Sequence, residues 1–265
     1  MRTLTLGFVL RRGLLAGLIA GLLAALVALL LVEPAIDAAL VVEEARSAGE
    51  PGGHEHELVG RAMQVVGGMV AAVLVAVSLG LVLAVVFARV RHRLPGGTDL
   101  ARAAVLAGCG FVAVSLLPAL KYPANPPGVG DPATVTTRTW QYFSLIIAAV
   151  GFTWLAFLVR DGLAGRGWSG SHAAAGAVLA GVLGNLLVLV AWPATPDLVP
   201  ADVPAGLLWE FRLASIAELA TLWAGLGFAF GLLLTPRTAA GGGAGTATDP
   251  GSTPDPATVA PPAAG

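Results

Sequence analysis

The sequence predicts an all-α integral membrane protein, a polytopic helical bundle with about six transmembrane helices. Three observations carry this. Mean hydropathy is +0.82 with only 12% charged side chains, a balance that soluble domains do not have. Six apolar runs, 13–32, 65–88, 103–120, 143–159, 173–192 and 213–234, approach the roughly 20 residues that cross a hydrocarbon core of about 30 Å. Only the last contains a charge, and lipid offers the backbone no partners, so these runs must be helices. The third and fourth are the shortest, and if one of them does not span, the count is five.

Arginine placement sets the orientation. Arg2, Arg11, Arg12, Arg89, Arg91, Arg93, Arg102, Arg160, Arg166 and Arg237 fall on one side of such a bundle, and Arg46, Arg61, Lys121, Arg138 and Arg212 on the other. The richer side faces the cytoplasm. Both termini are therefore expected in the cytoplasm, with segment 33–61 outside.

In the first run, Arg11 and Arg12 precede an apolar stretch longer than the roughly 7–15 residues of a signal peptide. Gly13, Gly17 and Gly21 recur every fourth residue, a spacing that lets another helix approach closely. Packing is the expected role.

Segment 33–61 carries the carboxylates Glu33, Asp37, Glu43, Glu44, Glu50, Glu55 and Glu57 against only Arg46 and Arg61. Glu33, Asp37 and Glu44 share one helical face, so an interfacial helix is expected there. A Gly- and Pro-rich break precedes His54-Glu55-His56-Glu57, the candidate metal collector. In an extended chain both imidazoles point one way, so one ion held by both requires non-helical backbone. Imidazole with carboxylate suits divalent first-row metals, and a His of pKa about 6.5 would release the ion as the outside acidifies. A solvated acidic loop is the plainer alternative. Leu58 stands where a zinc-protease motif needs its second His, so that chemistry is unsupported.

The second run ends at Arg89-Val90-Arg91-His92-Arg93, a basic anchor with a solvated His. The third contains Cys109, the single cysteine, expected to pack as a small apolar group. It runs into Pro118-Ala119-Leu120-Lys121-Tyr122-Pro123-Ala124-Asn125-Pro126-Pro127, where four prolines remove donors and should end the helix. Irregular backbone at such depth must be buried in protein or line a watery cavity, and it leaves carbonyls free to face a cation. Lys121 reads either as an interfacial anchor or as a gate cation paired with Glu33, Asp37 or Glu218.

The fourth run opens at an aromatic belt, Trp140-Gln141-Tyr142. The 162–171 turn holds Gly and Ser, but G-x-x-x-x-G-K-[ST] is absent throughout, which excludes ATP binding by a P-loop. His172 starts the fifth run, and Asn185 lies about 10 Å below its outer end by helical rise. Glu218 in the sixth run lies about 8–9 Å below Arg212. Intramembrane carboxylates are costly and mark ion or proton pathways. Ala214, Ser215, Thr221 and Gly225 around it argue against a lipid-facing position, and a salt bridge to Arg212 is the structural alternative. Asn185, Glu218, Lys121 and Asn125 together would line a vestibule beneath the acidic loop. Residues 1–234 form the expected membrane domain. The stretch 235–265 has the Gly/Ala/Pro/Thr composition of a disordered tail.

Lys121-Tyr122-Pro123-Ala124-Asn125-Pro126-Pro127, followed by Gly130-Asp131-Pro132 and Arg138-Thr139, resembles the signature of the CbtA family, predicted subunits of bacterial cobalt transporters. Arg12 to Gly17, Glu33-Pro34 to Glu43-Glu44-Ala45, the His54–Glu57 loop, and Trp209 with Phe211 to Ser215 resemble the family in the same order. The resemblance implies a multi-pass protein of the bacterial inner membrane that takes up cobalt, is linked to cobalamin supply and works with a small CbtB companion. Families of this kind are often described with five spans. It is the resemblance that says cobalt, since affinity alone favours nickel or copper at an N/O site.

The expected function is thus the membrane subunit of a cobalt uptake transporter whose outward loop collects the ion. Cobalt(2+) is the cargo, with no resident cofactor and no nucleic-acid partner. The alternative is a noncatalytic membrane scaffold or metal sensor that recruits a separate transporter. No nucleophile–base pair or complete catalytic metal motif is present, so an enzyme is not expected.

Overall fold

A proline inside a helix removes one donor and drives its ring against the carbonyl four residues back, and this chain has two such prolines within its spans. The computed structural model, which describes residues 5–47, 59–195 and 199–235, carries the helix through both. Helix α1 (Leu6–Val27) passes through a π-helical turn (Ala28–Val32) into α2 (Glu33–Ser47). After α3 (Arg61–Val90), helix α4 (Asp99–Gly110) passes through a second π turn (Phe111–Leu116) into α5 (Leu117–Lys121). In a π turn the bonds reach back five residues. Glu33 N–H accordingly finds Ala28 O, and Leu117 N–H finds Val112 O. The wider turn gives Pro34 and Pro118 room that an α turn would deny them. The expectation that the helix fails at Pro118 is therefore corrected: Pro118 is fully buried within it, and the irregular chain begins at Tyr122.

A 3₁₀ turn (Pro132–Thr134) then leads into α6 (Val135–Gly165), followed by α7 (Gly170–Ala191) and α8 (Ala205–Leu234). Six helical segments are long and apolar enough to cross a membrane: Leu6–Arg46, Arg61–Val90, Asp99–Lys121, Pro132–Gly165, Gly170–Ala191 and Ala205–Leu234. The third and fourth runs, the two shortest in the sequence, are both among them.

Helix association in lipid gains little from hydrophobic transfer and depends on close packing. Gly13, Gly17 and Gly21 provide it between α1 and α3. A Cβ on Gly13 would lie 2.5 Å from Gly80 O, one on Gly17 would lie 2.6 Å from the Val77 Cα, and one on Gly21 would lie 2.8 Å from the Val73 Cα. The two backbones are in direct contact, as the four-residue spacing predicts. Helix α8 packs between α1 and α4. Its Gly225 lies on Ala20 of α1, while Gly227 and Gly231 admit Ala107 and Leu100 of α4. Gly110 leaves space for the Trp223 indole, which donates to Ser115 Oγ at 2.9 Å. Phe87 and Phe230 close this core edge to face, their centroids 5.3 Å apart.

Helices α6 and α7 form a hairpin. Its turn is a Schellman cap, with Trp168 N–H on Leu163 O (3.2 Å), Gly167 N–H on Ala164 O (3.0 Å) and Gly167 at φ +84°, the left-handed position that glycine adopts without penalty. Ser169 caps α7 through the His172 N–H, which gives His172 the expected helix-start role. The hairpin meets the rest of the bundle chiefly at α5 and the second π turn. His92 is exposed and Cys109 half-buried.

Candidate functional site

The chemistry-bearing residues gather at the end of the bundle that the arginine count places outside. Helix α2 reaches past α1, and Val32 of the preceding π turn packs with Ala35 and Ala39 of α2 against Leu207, Phe211 and Ala214 of α8. That contact fixes the rotation of α2 and places Glu33 and Asp37, four residues apart, on one side. Arg61, the first residue of α3, joins them. Its Nε donates to Asp37 Oδ1 at 2.9 Å, and its Nη2 pairs with both Glu33 and Asp37. Glu44 is exposed, and Glu43 lies against Gly128. The sequence reading gives Arg61 no role beyond its charge, although carboxylates at i and i+4 followed by a lone arginine are the signal for such a clamp.

The Lys121–Pro127 motif acts as a staple among three helices. Lys121 Nζ donates to Leu189 O at 2.9 Å, and Tyr122 Oη donates to Pro193 O at 2.7 Å. Leu189 O is available because its regular helical donor would be residue 193, a proline without an N–H. Lys121 supplies the missing donor from another helix. Burial raises the Tyr122 phenol above its ordinary pKa, so it remains a donor. Arg212 on α8 donates to Ala124 O (3.3 Å) and Asn125 Oδ1 (3.0 Å). Arg46 on α2 donates to Gly128 O at 3.0 Å and pairs with Asp202 at 2.8 Å. Pro126 is fully buried, and Pro123 and Pro127 flank these contacts.

One expectation is thereby corrected and two open alternatives are decided. Lys121 pairs with a helix carbonyl rather than with Glu33, Asp37 or Glu218. Ala124 O, in the stretch expected to leave carbonyls free for a cation, is held by Arg212, and Gly128 O, just beyond that stretch, is held by Arg46. Arg212 is engaged with the staple rather than with Glu218. Each partner lies far off in sequence, Leu189 being 68 residues from Lys121, beyond the reach of local pattern.

Glu218 is half-buried. Its own face of α8 carries Ala214, packed on α2, and Gly225, packed on Ala20 of α1. In that antiparallel register Glu218 stands level with the first π turn, and it feels the charge of Glu33 nearby. Among the described residues Glu218 has no hydrogen bond or ion pair. Asn185 Nδ2 donates to Gly181 O at 2.8 Å, while its buried Oδ1 is without a donor. Because α7 packs along α6 and has no extended contact with α8, Asn185 and Glu218 belong to different helix groupings, not to one wall.

The candidate collector His54, Glu55, His56 and Glu57 lies outside the described residues, as does the stretch from 236 onward. Among the described residues, no three or more His, Cys, Asp or Glu side chains are grouped to hold a metal ion. The strongest local feature is an intramembrane carboxylate beneath an Arg-clamped pair of carboxylates.

The family model described as "Probable cobalt transporter subunit (CbtA)" matches residues 7–235. No curated protein and no solved structure matches the chain. With its six helices that are long and apolar enough to cross a membrane lying within the matched region apart from the first residue, this chain belongs to the CbtA family of cobalt transporter subunits.

Proposed function

We propose that this subunit carries cobalt(2+) inward across the bacterial inner membrane, with the acidic outer segment as collector and Glu218 as the carboxylate that receives the ion within the bilayer. The observation that carries this is the unpaired state of Glu218 among the described residues. Glu218 stands near Glu33, whose own charge is held by Arg61. A cation binding there supplies the counter-charge that Glu218 lacks among the described residues, a need that an apolar residue at the same place would not have. His54, Glu55, His56 and Glu57 would take the ion from solution, and Glu33 and Asp37 would pass it inward by exchanging it for Arg61. Asn185, with its orphan Oδ1, is the candidate polar group in the second helix grouping.

The ion is cargo, and no resident cofactor or catalysis is invoked. An inside-negative potential of about 100 mV favours entry by roughly 2.3 kcal/mol per charge, twice that for a divalent ion. A small CbtB-like companion is the proposed partner.

A second reading is favoured by one observation, the lack of a three-ligand metal group among the described residues. On that reading the chain is a scaffold or metal sensor that recruits another transporter. Labelled-cobalt uptake separates the two, in cells without other cobalt importers that express the chain with and without its companion. The transport reading expects uptake that requires this chain. No uptake above the empty vector in either combination, despite normal insertion, favours the scaffold.

A further inference from the structure

A long apolar groove runs along the opposite half of the bundle, away from the carboxylates. Its walls are α3 and α6, and its floor is α4 with the Trp223 ring of α8. The groove holds about 230 Å³. Its mouth is open to the surroundings at Val82, Val86, Val150 and Trp154, each between 38% and 57% exposed. From Leu79 to Val90 the α3 wall covers about 16–17 Å of helical rise, close to the hydrocarbon depth of one leaflet, about half of roughly 30 Å.

One end of the groove is charged. Arg93 lines it, with its guanidinium 5.6 Å from the centre of the Trp154 ring. Arg160 lies beside it, donating from Nη1 to the Arg93 carbonyl at 2.6 Å. Asp161 is the nearby acid, 3.7 Å from Arg93 Nε. Two guanidiniums against one carboxylate leave a net positive charge, just beyond the hydrocarbon depth and on the side with the arginine excess.

We infer that this groove binds one anionic phospholipid of the inner leaflet, with one of its two acyl chains between α3 and α6 and its phosphate at Arg93 and Arg160. The charged end and the depth both select this occupant. A zwitterionic lipid gains less from the net charge.

The test uses the full chain in detergent, titrated with phosphatidylglycerol or phosphatidylcholine and examined by native mass spectrometry. One retained phosphatidylglycerol is expected, preferred by about fivefold, the effect of a single basic residue near anionic headgroups. Arg93→Ala should abolish the preference. Val82→Trp, a change at an exposed position that fills the mouth, should lose the retained lipid while keeping the thermal transition, and it serves if Arg93→Ala fails to fold. Equal retention of both lipids by the wild-type chain, a preference that survives both variants, or displacement of the lipid by a co-purifying polypeptide would each overturn the inference.

Discussion

The Arg61 guanidinium at the start of α3 is shared between Glu33 and Asp37, one turn apart at the head of α2. The two partners are unequal, since the Glu33 side chain is 17% exposed and that of Asp37 64%. Asp37→Asn should therefore cost less than about 1 kcal/mol, as exposed ion pairs do. Arg61→Ala leaves the less exposed Glu33 without its partner and close to Glu218, and should cost about 1–3 kcal/mol. Thermal unfolding of the purified chain in detergent measures both, and equal losses would contradict the unequal clamp.

Packing of α1 on α3 gives a second expectation. A methyl group on Gly80 would meet backbone atoms of Gly13 and Gly17, which have no flexible end to move aside. Gly80→Ala should destabilise by about 1–3 kcal/mol through overpacking. Gly67→Ala, on the same helix with nothing within 4 Å, should be neutral or stabilise by up to about 1 kcal/mol, the ordinary helical gain of Ala over Gly. The contrast is read from the two thermal midpoints.

Lys121 and Pro193 should be coupled. Lys121→Met removes the donor to Leu189 O and should cost about 1–3 kcal/mol for the carbonyl left unpaired. Pro193→Ala restores a backbone N–H at the position that would bond that carbonyl in a continued helix. In the double variant much of the Lys121→Met loss should disappear, a coupling of about 1 kcal/mol or more in a double-mutant cycle. Additive losses would mean that Lys121 does not replace the missing donor.

This staple also shows where sequence reading reaches its limit. Hydropathy alone defines the six spans, since lipid permits little besides helix, and the Gly13–Gly17–Gly21 spacing already announces close packing. Pro118 misleads, because the rule that a proline ends a helix assumes α geometry, whereas the second π turn accommodates it. Glu218 is conspicuous as the sole charge in six apolar runs. Its relation to Glu33 is not, because it depends on the rotation of α2 that Val32, Ala35 and Ala39 fix against α8. The partners of Lys121 and Arg212 are set by tertiary contacts 68 and 87 residues away.

The pair between Arg46 and Asp202 predicts a specific pH response. The hydrogen bond from Arg46 holds the Asp202 carboxyl below its ordinary pKa. A carboxyl lowered on folding contributes stability above its unfolded pKa of about 3.9, and that contribution is lost as pH falls through the lower folded value. Asp202→Asn should therefore differ from the wild type by a constant amount at neutral and mildly acidic pH, and the two should converge only in strong acid. The measurement is the thermal midpoint of each across pH, and convergence already near neutrality would show that the pair is not formed.

The central claim is that Glu218 receives the ion. It is tested most directly by labelled-cobalt uptake in cells expressing wild type, Glu218→Asp or Glu218→Gln at matched membrane abundance, with the companion present. Uptake that falls to the empty-vector level in Glu218→Gln and partly survives in Glu218→Asp is the predicted result, because only the latter keeps a carboxylate. Wild-type uptake by Glu218→Gln would contradict the claim and leave Glu218 a structural residue.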